Sequence, residues 1–362
     1  MTAAALLGLA LLLLLFWDVY TTVFVPRGPA GPIAGRLYDW SWIVWHRLVG
    51  HATRNARRRL ARLGPLLIPL TVIVWAFTLL VAFTLLLLPW ARTFQVDDTV
   101  AFPAWFNALY ISAYSITTLG IGDVTPTGMI ARLVMVFAAA SGFVLITVAV
   151  TYLLAVYGAL DRMTALAYEI HRFVGRNDAQ TPADLVATAL TTDGSSELNS
   201  WLSSTATALS EVVQSEDEFP LLHYFHQPDE RALPIALTDL GEVVTILRTM
   251  VSPLAYPALA EGIITGGTER IVRGYFATLA RRFETNSLPP GELEDARRGA
   301  FEHAWRVLQR KNIPLRDPNE AWHRYEQTRR HWDAPSARTR TRFGYPTRQE
   351  WRREESVVNF EG

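Results

Sequence analysis

Seven consecutive residues, Thr117-Thr118-Leu119-Gly120-Ile121-Gly122-Asp123, are suited to chemistry done by the backbone rather than by side chains. Two glycines alternate with residues that carry side chains, and glycine reaches backbone angles that L-residues avoid, so successive carbonyls can point one way instead of alternating. Such a row of oxygens can replace the water shell of a cation. Other chemistry-bearing groups are sparser. His223 and His226 stand three residues apart, a spacing that suits a metal or a proton switch, but no third ligand accompanies them and no metal site is expected there. Asp184, Glu211, Glu216, Asp217 and Glu218 form no paired-carboxylate pattern, and no Walker-type string occurs. Gly266-Gly267 reads as a turn before a helix. Neither an enzyme nor a cofactor is expected.

The elements that must position the heptad are membrane spans. A hydrocarbon core of roughly 30 Å takes about 20 helical residues. Ala3 to Val25, Leu66 to Trp90 and Met129 to Leu160 are long and apolar enough. The first lacks the basic start and small-residue cleavage pattern of a signal peptide, so it reads as a retained helix. A dry bilayer tolerates irregular backbone only where protein buries it or water lines it, and the heptad sits between the second and third spans. Between Pro26 and Pro65 lie eight arginines (Arg27, Arg36, Arg47, Arg54, Arg57, Arg58, Arg59 and Arg62) against Asp39 alone, which places that connection in the cytoplasm and the N-terminus outside. The segment from Trp90 to Gly128, with Asp97, Asp98 and Asp123 against Arg92, then opens outward.

Pro103 suits the first turn of a helix over 103–116, too short to span and long enough to re-enter half a bilayer. Its C-terminal end carries partial negative charge that favours a cation. The heptad and these surroundings resemble the filter and pore domain of bacterial potassium channels with a single pore loop, here with an extra N-terminal helix. The family filter is written T-V-G-Y-G-D; Leu119 and Ile121 depart from it. The resemblance implies K+ as permeant ion and ion-binding oxygens from the Thr118 hydroxyl and the carbonyls of Thr118, Leu119, Gly120 and Ile121, with Gly120 and Gly122 supplying backbone freedom. Asp123 then lies at the outer mouth, and Thr117 and Ser115 serve as local hydrogen-bonding groups. Ile111 occupies the position of a tryptophan that braces the filter aromatic in many relatives, so an apolar Ile111–Ile121 contact replaces a polar one. Tyr114 occupies the position of an acidic residue behind the filter, where its hydroxyl can reach Asp123. Arg132 is expected to snorkel or to pair with an acid of the pore mouth. Gly142 stands where the family often has a gating hinge, and helix packing is the alternative role. An inner constriction falls among Thr151, Leu154, Ala155 and Gly158.

One pore segment cannot surround an ion, so a homo-oligomer is required, and the resemblance implies four copies. A voltage sensor needs arginines at every third position inside a span, and none is spaced so. Asp18, inside the first span, reads as a hydrogen-bonding group to a neighbouring helix. The chain has no cysteine, one lysine (Lys311) and a formal net charge of zero.

The expected architecture is all-α: three transmembrane helices with a re-entrant pore helix and filter loop, then a mostly helical cytoplasmic domain. Its parts are 1–25 (first span), 26–65 (basic, interfacial), 66–160 (pore domain: outer helix 66–90, pore helix 103–116, filter 117–123, inner helix 129–160), 161–325 (helical domain) and 326–362 (basic, solvated tail). The basic segments, rich in tryptophan, suit anionic lipid headgroups; nucleic acid is not expected as a partner. The expectation is a potassium channel of a bacterial inner membrane, with a weakly selective monovalent cation channel and a non-conducting membrane scaffold or sensor as alternatives.

Overall fold

Apolar residues on every side of a helix leave it no stable place in water. Three helices of this kind are long enough to cross a membrane among the described residues: Ala3–Phe24, Leu63–Thr93 and Met129–Val174. The fold comes from a computed structural model that describes residues 3–25, 28, 30–49, 59, 61–96, 102–174, 181–225, 232–282, 290–343 and 345. Arg27, Arg54, Arg57, Arg58, Asp97, Asp98 and His226, with the chain beyond 345, lie outside the described residues. The chain is a helical membrane protein that divides into two units.

The membrane unit comprises 1–48, 62–158 and 216–225. It begins with α1 (Ala3–Val19), which ends in a π-helical turn, Tyr20–Phe24. Helix α2 (Pro32–Val49) follows, then α3 (Leu63–Leu87), prolonged by a 3-10 turn, Leu88–Thr93. Strand β1 (Gln95–Val96) leads to α4 (Ala104–Ile116), and β2 (Val124–Thr125) pairs with β1 before α5 (Met129–Val174). Helix α1 packs along α3 because Gly8 has no side chain. A Cβ there would lie 2.6 Å from the Ala82 carbonyl oxygen and 2.9 Å from the Leu86 nitrogen. Small residues permit this close approach where lipid offers no hydrophobic drive for helices to associate.

Asp18, fully buried near the end of α1, shows why an acid is retained in a span. Its Oδ1 accepts from the backbone nitrogens of Ile33 (2.5 Å) and Ala34 (3.1 Å), and its Oδ2 accepts from Trp75 Nε1 (2.7 Å). The carboxylate therefore caps the N-terminus of α2 from another helix and ties both to α3, where the partial positive charge of a helix start favours an anion. Gly31 makes room for it, since a Cβ there would lie 2.3 Å from Asp18 Oδ1. Asp18→Ala orphans three buried donors at ~1–3 kcal/mol each before relaxation. The expected result is a loss of about 3 kcal/mol or more, read as a lowered unfolding midpoint of purified protein in detergent.

Helix α5 is 46 residues long, about 69 Å at 1.5 Å per residue, more than twice what a bilayer core needs. The inner helix expected to stop at Leu160 thus runs unbroken to Val174, and the boundary between units at Gly158 falls inside it.

The second unit (49–61, 159–215 and 226–362) contains α6 (Pro182–Thr191), most of α7 (Ser195–Glu218), α8 (Leu233–Thr249), α9 (Pro257–Ala260), α10 (Ile263–Arg282), α11 (Pro290–Arg310), α12 (Pro318–Arg330) and α13 (Asp333–Phe343). Asp184 closes a capping box with Thr181 at the start of α6, a structural role. Helix α8 is buried on nearly every side, with α6, α10, α12 and α13 packed around it. Gly266 and Gly267 lie inside α10 rather than in a turn, and Gly266 leaves space for the Arg248 guanidinium, which pairs with Glu269 at 2.9 Å.

Of the solvated tail expected over 326–362, the described part up to 345 packs on this core instead. Trp332 is buried and donates from Nε1 to Thr245 Oγ1 (3.2 Å). Arg329 pairs with Glu242 (3.1 Å), and Asp333 takes two bonds from Arg297, 2.5 Å from Nε and 2.9 Å from Nη2. The Tyr325 hydroxyl donates to Glu242 Oε1 (2.5 Å), and burial, then Glu242, pushes that phenol well above its ordinary pKa. Arg329 and Asp333, read as part of a solvated run, are thus paired with charges distant in sequence, and buried charge persists only when paired in this way.

Candidate functional site

The heptad is held between α4 and α5 by hydrogen bonds at its two ends. At its start, the last turn of α4 takes loop N–H groups onto its own unpaired carbonyls, as helix C-termini require. Thr117 N donates to Ala113 O (3.1 Å), Thr118 N to Ser115 O (3.0 Å), and Leu119 N and Gly120 N to Tyr114 O (2.8 and 3.4 Å). Pro103 proves to be the N-cap of α4 rather than its first residue, with its carbonyl accepting from Phe106 N and Asn107 N.

The backbone then alternates. Thr118, Gly120 and Gly122 have φ of 56°, 59° and 84°, whereas Leu119 and Ile121 keep negative φ. Residues of alternating hand turn successive peptide planes so that their carbonyls face one side, unlike a strand, whose carbonyls point alternately to either side. Glycine was expected to provide this freedom at 120 and 122. Thr118 was not: a β-branched residue at positive φ is an outlier that costs on the order of 1–3 kcal/mol and persists only where its surroundings impose it. The Thr118 N–H bond to Ser115 is one such constraint.

At the far end, Val124 pairs with Val96 in the β1–β2 ribbon, Thr127 Oγ1 donates to Thr93 O (2.8 Å), and Arg132 Nε donates to Pro126 O (2.9 Å). Arg132 thus braces the loop through a carbonyl, and no ion pair to it occurs among the described residues. Tyr114 also departs from expectation. Its hydroxyl donates to the Val124 carbonyl, and the hydroxyl that reaches Asp123 is that of Tyr110, one turn earlier, at 3.0 Å from Oδ2. Asp123 Oδ1 accepts from Val124 N (3.0 Å). Phe106, Tyr110 and Tyr114 recur every four residues on one face of α4, with ring centroids 6.3 and 5.4 Å apart. That i, i+4 stripe was the available signal for Tyr110.

Ile111 and Ile121 are not brought together. Ile111 is 0% exposed, enclosed by Leu87, Ala91, Phe94, Ala108, Val124 and Ala131, so a residue of another copy could not touch it in this arrangement either. Ile121 is 51% and Leu119 67% exposed, and Thr117 through Asp123 are all exposed in the single chain. Gly120 has no atom within 4 Å of where a Cβ would stand. Ser115 is buried and donates to Ile111 O (2.6 Å); Thr117 Oγ1 donates to Ala113 O (2.8 Å). Gly142 lies against the end of α4, where a Cβ would fall 2.0 Å from the Ile116 carbonyl oxygen, while α5 continues straight through it.

His223 lies with Nδ1 3.9 Å from Glu216 Oε2 in the membrane unit, and no cluster of three or more metal-ligating acids or histidines occurs among the described residues.

Residues 70–158, from α3 through the membrane part of α5, match a protein family described as an ion channel, of the two-transmembrane type. The uncharacterized membrane protein YdjJ of Bacillus subtilis (strain 168) is 28% identical over 233 residues, 64% of this chain and 65% of the relative. The chain thus spans about two thirds of the length of that relative. No solved structure matches.

Proposed function

We propose, from the match of residues 70–158 to an ion-channel family, a homotetrameric pore in a bacterial inner membrane that passes potassium passively. The observation that carries this reading is the alternation of positive φ at Thr118, Gly120 and Gly122 in a loop tethered at both ends. In it, the Thr118 hydroxyl and the carbonyls of Thr118, Leu119, Gly120 and Ile121 replace the ion's water, and Gly122 allows the last turn of the row. Thr117, Tyr114, Tyr110 and Asp123 hold the loop, and the Asp123 carboxylate draws cations to the outer mouth. One loop lines one side of a path, so further copies must complete it, and cyclic symmetry closes the ring.

The N-terminus lies outside and the C-terminal helices in the cytoplasm, by the arginine excess after the first span. Helix α2 then rests on the inner leaflet. Trp40, Ile43, Val44 and Leu48 form an exposed apolar stripe at helical spacing, with Arg36 and Arg47 beside it to meet anionic headgroups.

A second reading, a weakly selective monovalent cation pore, is favoured by the bracing. Among the described residues the loop's hydrogen bonds stop at Gly120 and resume at Asp123, and Ile111 is enclosed in the core while Ile121 is exposed. Purified protein in proteoliposomes is expected to take up rubidium, with barium block, and reversal potentials in opposed sodium and potassium separate the two readings. Absence of cation flux at any pH, lipid composition or potential would overturn both and leave a non-conducting scaffold.

A further inference from the structure

We propose that Glu216–Phe225, a segment embedded in the C-terminal half of the sequence, is a strap that sets the conformation of the inner helix α5. Its consequence for flux rests on the channel reading above; its docking does not. The segment belongs to the membrane unit, whereas the residues on either side of it, through Ser215 and from 226, belong to the other. Its core is a 3-10 turn, Pro220–Tyr224, in which Pro220, Leu221 and Leu222 are buried.

Three contacts fix it. Phe225 packs so tightly on the first turn of α3 that a Cβ on Gly64 would lie 2.7 Å from the Phe225 ring and 2.9 Å from its Cα. Tyr224 donates its hydroxyl to Asp39 Oδ1 of α2 (2.8 Å), and its ring meets those of Tyr38 (5.8 Å) and Trp42 (6.0 Å). Phe219 meets the ring of Tyr152 on α5 at 6.0 Å. Tyr152 also meets Trp75 of α3 at 6.5 Å, and Trp75 is the residue that donates to Asp18. Tyr152 is therefore where strap, outer helix and inner helix meet.

The register of α5 gives this meeting point its consequence. Tyr152 is buried against the strap, while Thr151 and Leu154, where an inner constriction is expected, are exposed. A helix turns as a body, so a displacement of Tyr152 carries Thr151 and Leu154 with it. The strap is also covalently continuous with α7, a single helix from Ser195 to Glu218 that changes unit at Ser215, so a shift of α7 along its axis is delivered to Phe219. Strap docking and α5 conformation are thus one two-state element that C-terminal helices can bias.

The test uses the full chain in proteoliposomes. Because the natural sequence has no cysteine, Leu154→Cys gives a single reporter thiol whose maleimide labelling rate follows the surroundings of α5 without reference to flux. Phe219→Ala releases the ring from Tyr152; Tyr224→Phe removes the donor and Asp39→Ala the acceptor of the hydrogen bond, the latter at an exposed position. Each hydrogen-bond variant is expected to shift labelling, and rubidium flux where it is present, by about fivefold in the direction that Phe219→Ala shifts them. Combining Tyr224→Phe with Asp39→Ala is expected to add nothing to either alone. Unchanged labelling and flux in variants that elute as the parent does would overturn the strap. A parent without flux defeats the channel reading, and the labelling rates still decide the strap.

Discussion

Gly120→Asp will abolish cation flux while the protein reaches the membrane in parental amounts. Two effects combine. Gly120 sits at φ 59°, a conformation that costs an L-residue roughly 1–2 kcal/mol, and in a four-fold ring that cost recurs in every copy. The substitution also places a carboxylate among oxygens that must bind a cation weakly enough to release it. Space is not the obstacle, because nothing lies within 4 Å of the Cβ position in the chain. Gly120→Asn therefore serves as a graded control. Asparagine tolerates the left-handed region better than other side chains, so flux is expected to fall less than for Gly120→Ala, and Gly120→Asp should be the most severe of the three. Equal flux in all three variants would mean that the loop's conformation does not matter to conduction. Surface biotinylation and size-exclusion elution check that the protein is present and assembled.

The second large effect concerns Gly142. A methyl group there would stand 2.0 Å from the Ile116 carbonyl oxygen, at the end of the helix from which the filter loop departs. Backbone cannot yield as a side-chain tip can, so α4 and α5 must separate, at an overpacking cost of ~1–3 kcal/mol per chain. Gly142→Ala is expected to lower the thermal midpoint of the assembled protein and to reduce flux together. A hinge makes a different prediction: alanine would restrict opening while leaving the resting fold as stable as before. Stability and flux measured on the same preparation distinguish the two. Intact stability with reduced flux would restore the hinge.

What was legible in the sequence was local in origin. The three spans, the re-entrant length of α4 and the helical character of the C-terminal half follow from apolar runs and helical periodicity, which neighbouring residues impose on one another. The heptad was legible because glycine's freedom belongs to the residue itself, and the conformations at Gly120 and Gly122 agree with that expectation.

The tertiary structure decided everything that depends on a partner distant in sequence. Thr118 holds a positive φ that threonine does not prefer at the point where its N–H bonds back to α4. Asp123 bonds to Tyr110 rather than Tyr114 because the β1–β2 ribbon brings the Val124 carbonyl to Tyr114 first. Asp18 caps a helix that starts fourteen residues later, as the turn after α1 folds back on it. Arg329 and Asp333 belong by sequence to a solvated tail and are held in the core by Glu242 and Arg297. Glu216–Phe225 belongs to the membrane unit through contacts with Asp39, Gly64 and Tyr152, none of them closer than 64 residues in the chain. Composition and period establish which segments are helical and which are apolar; which face meets which partner is settled only when the chain has closed on itself.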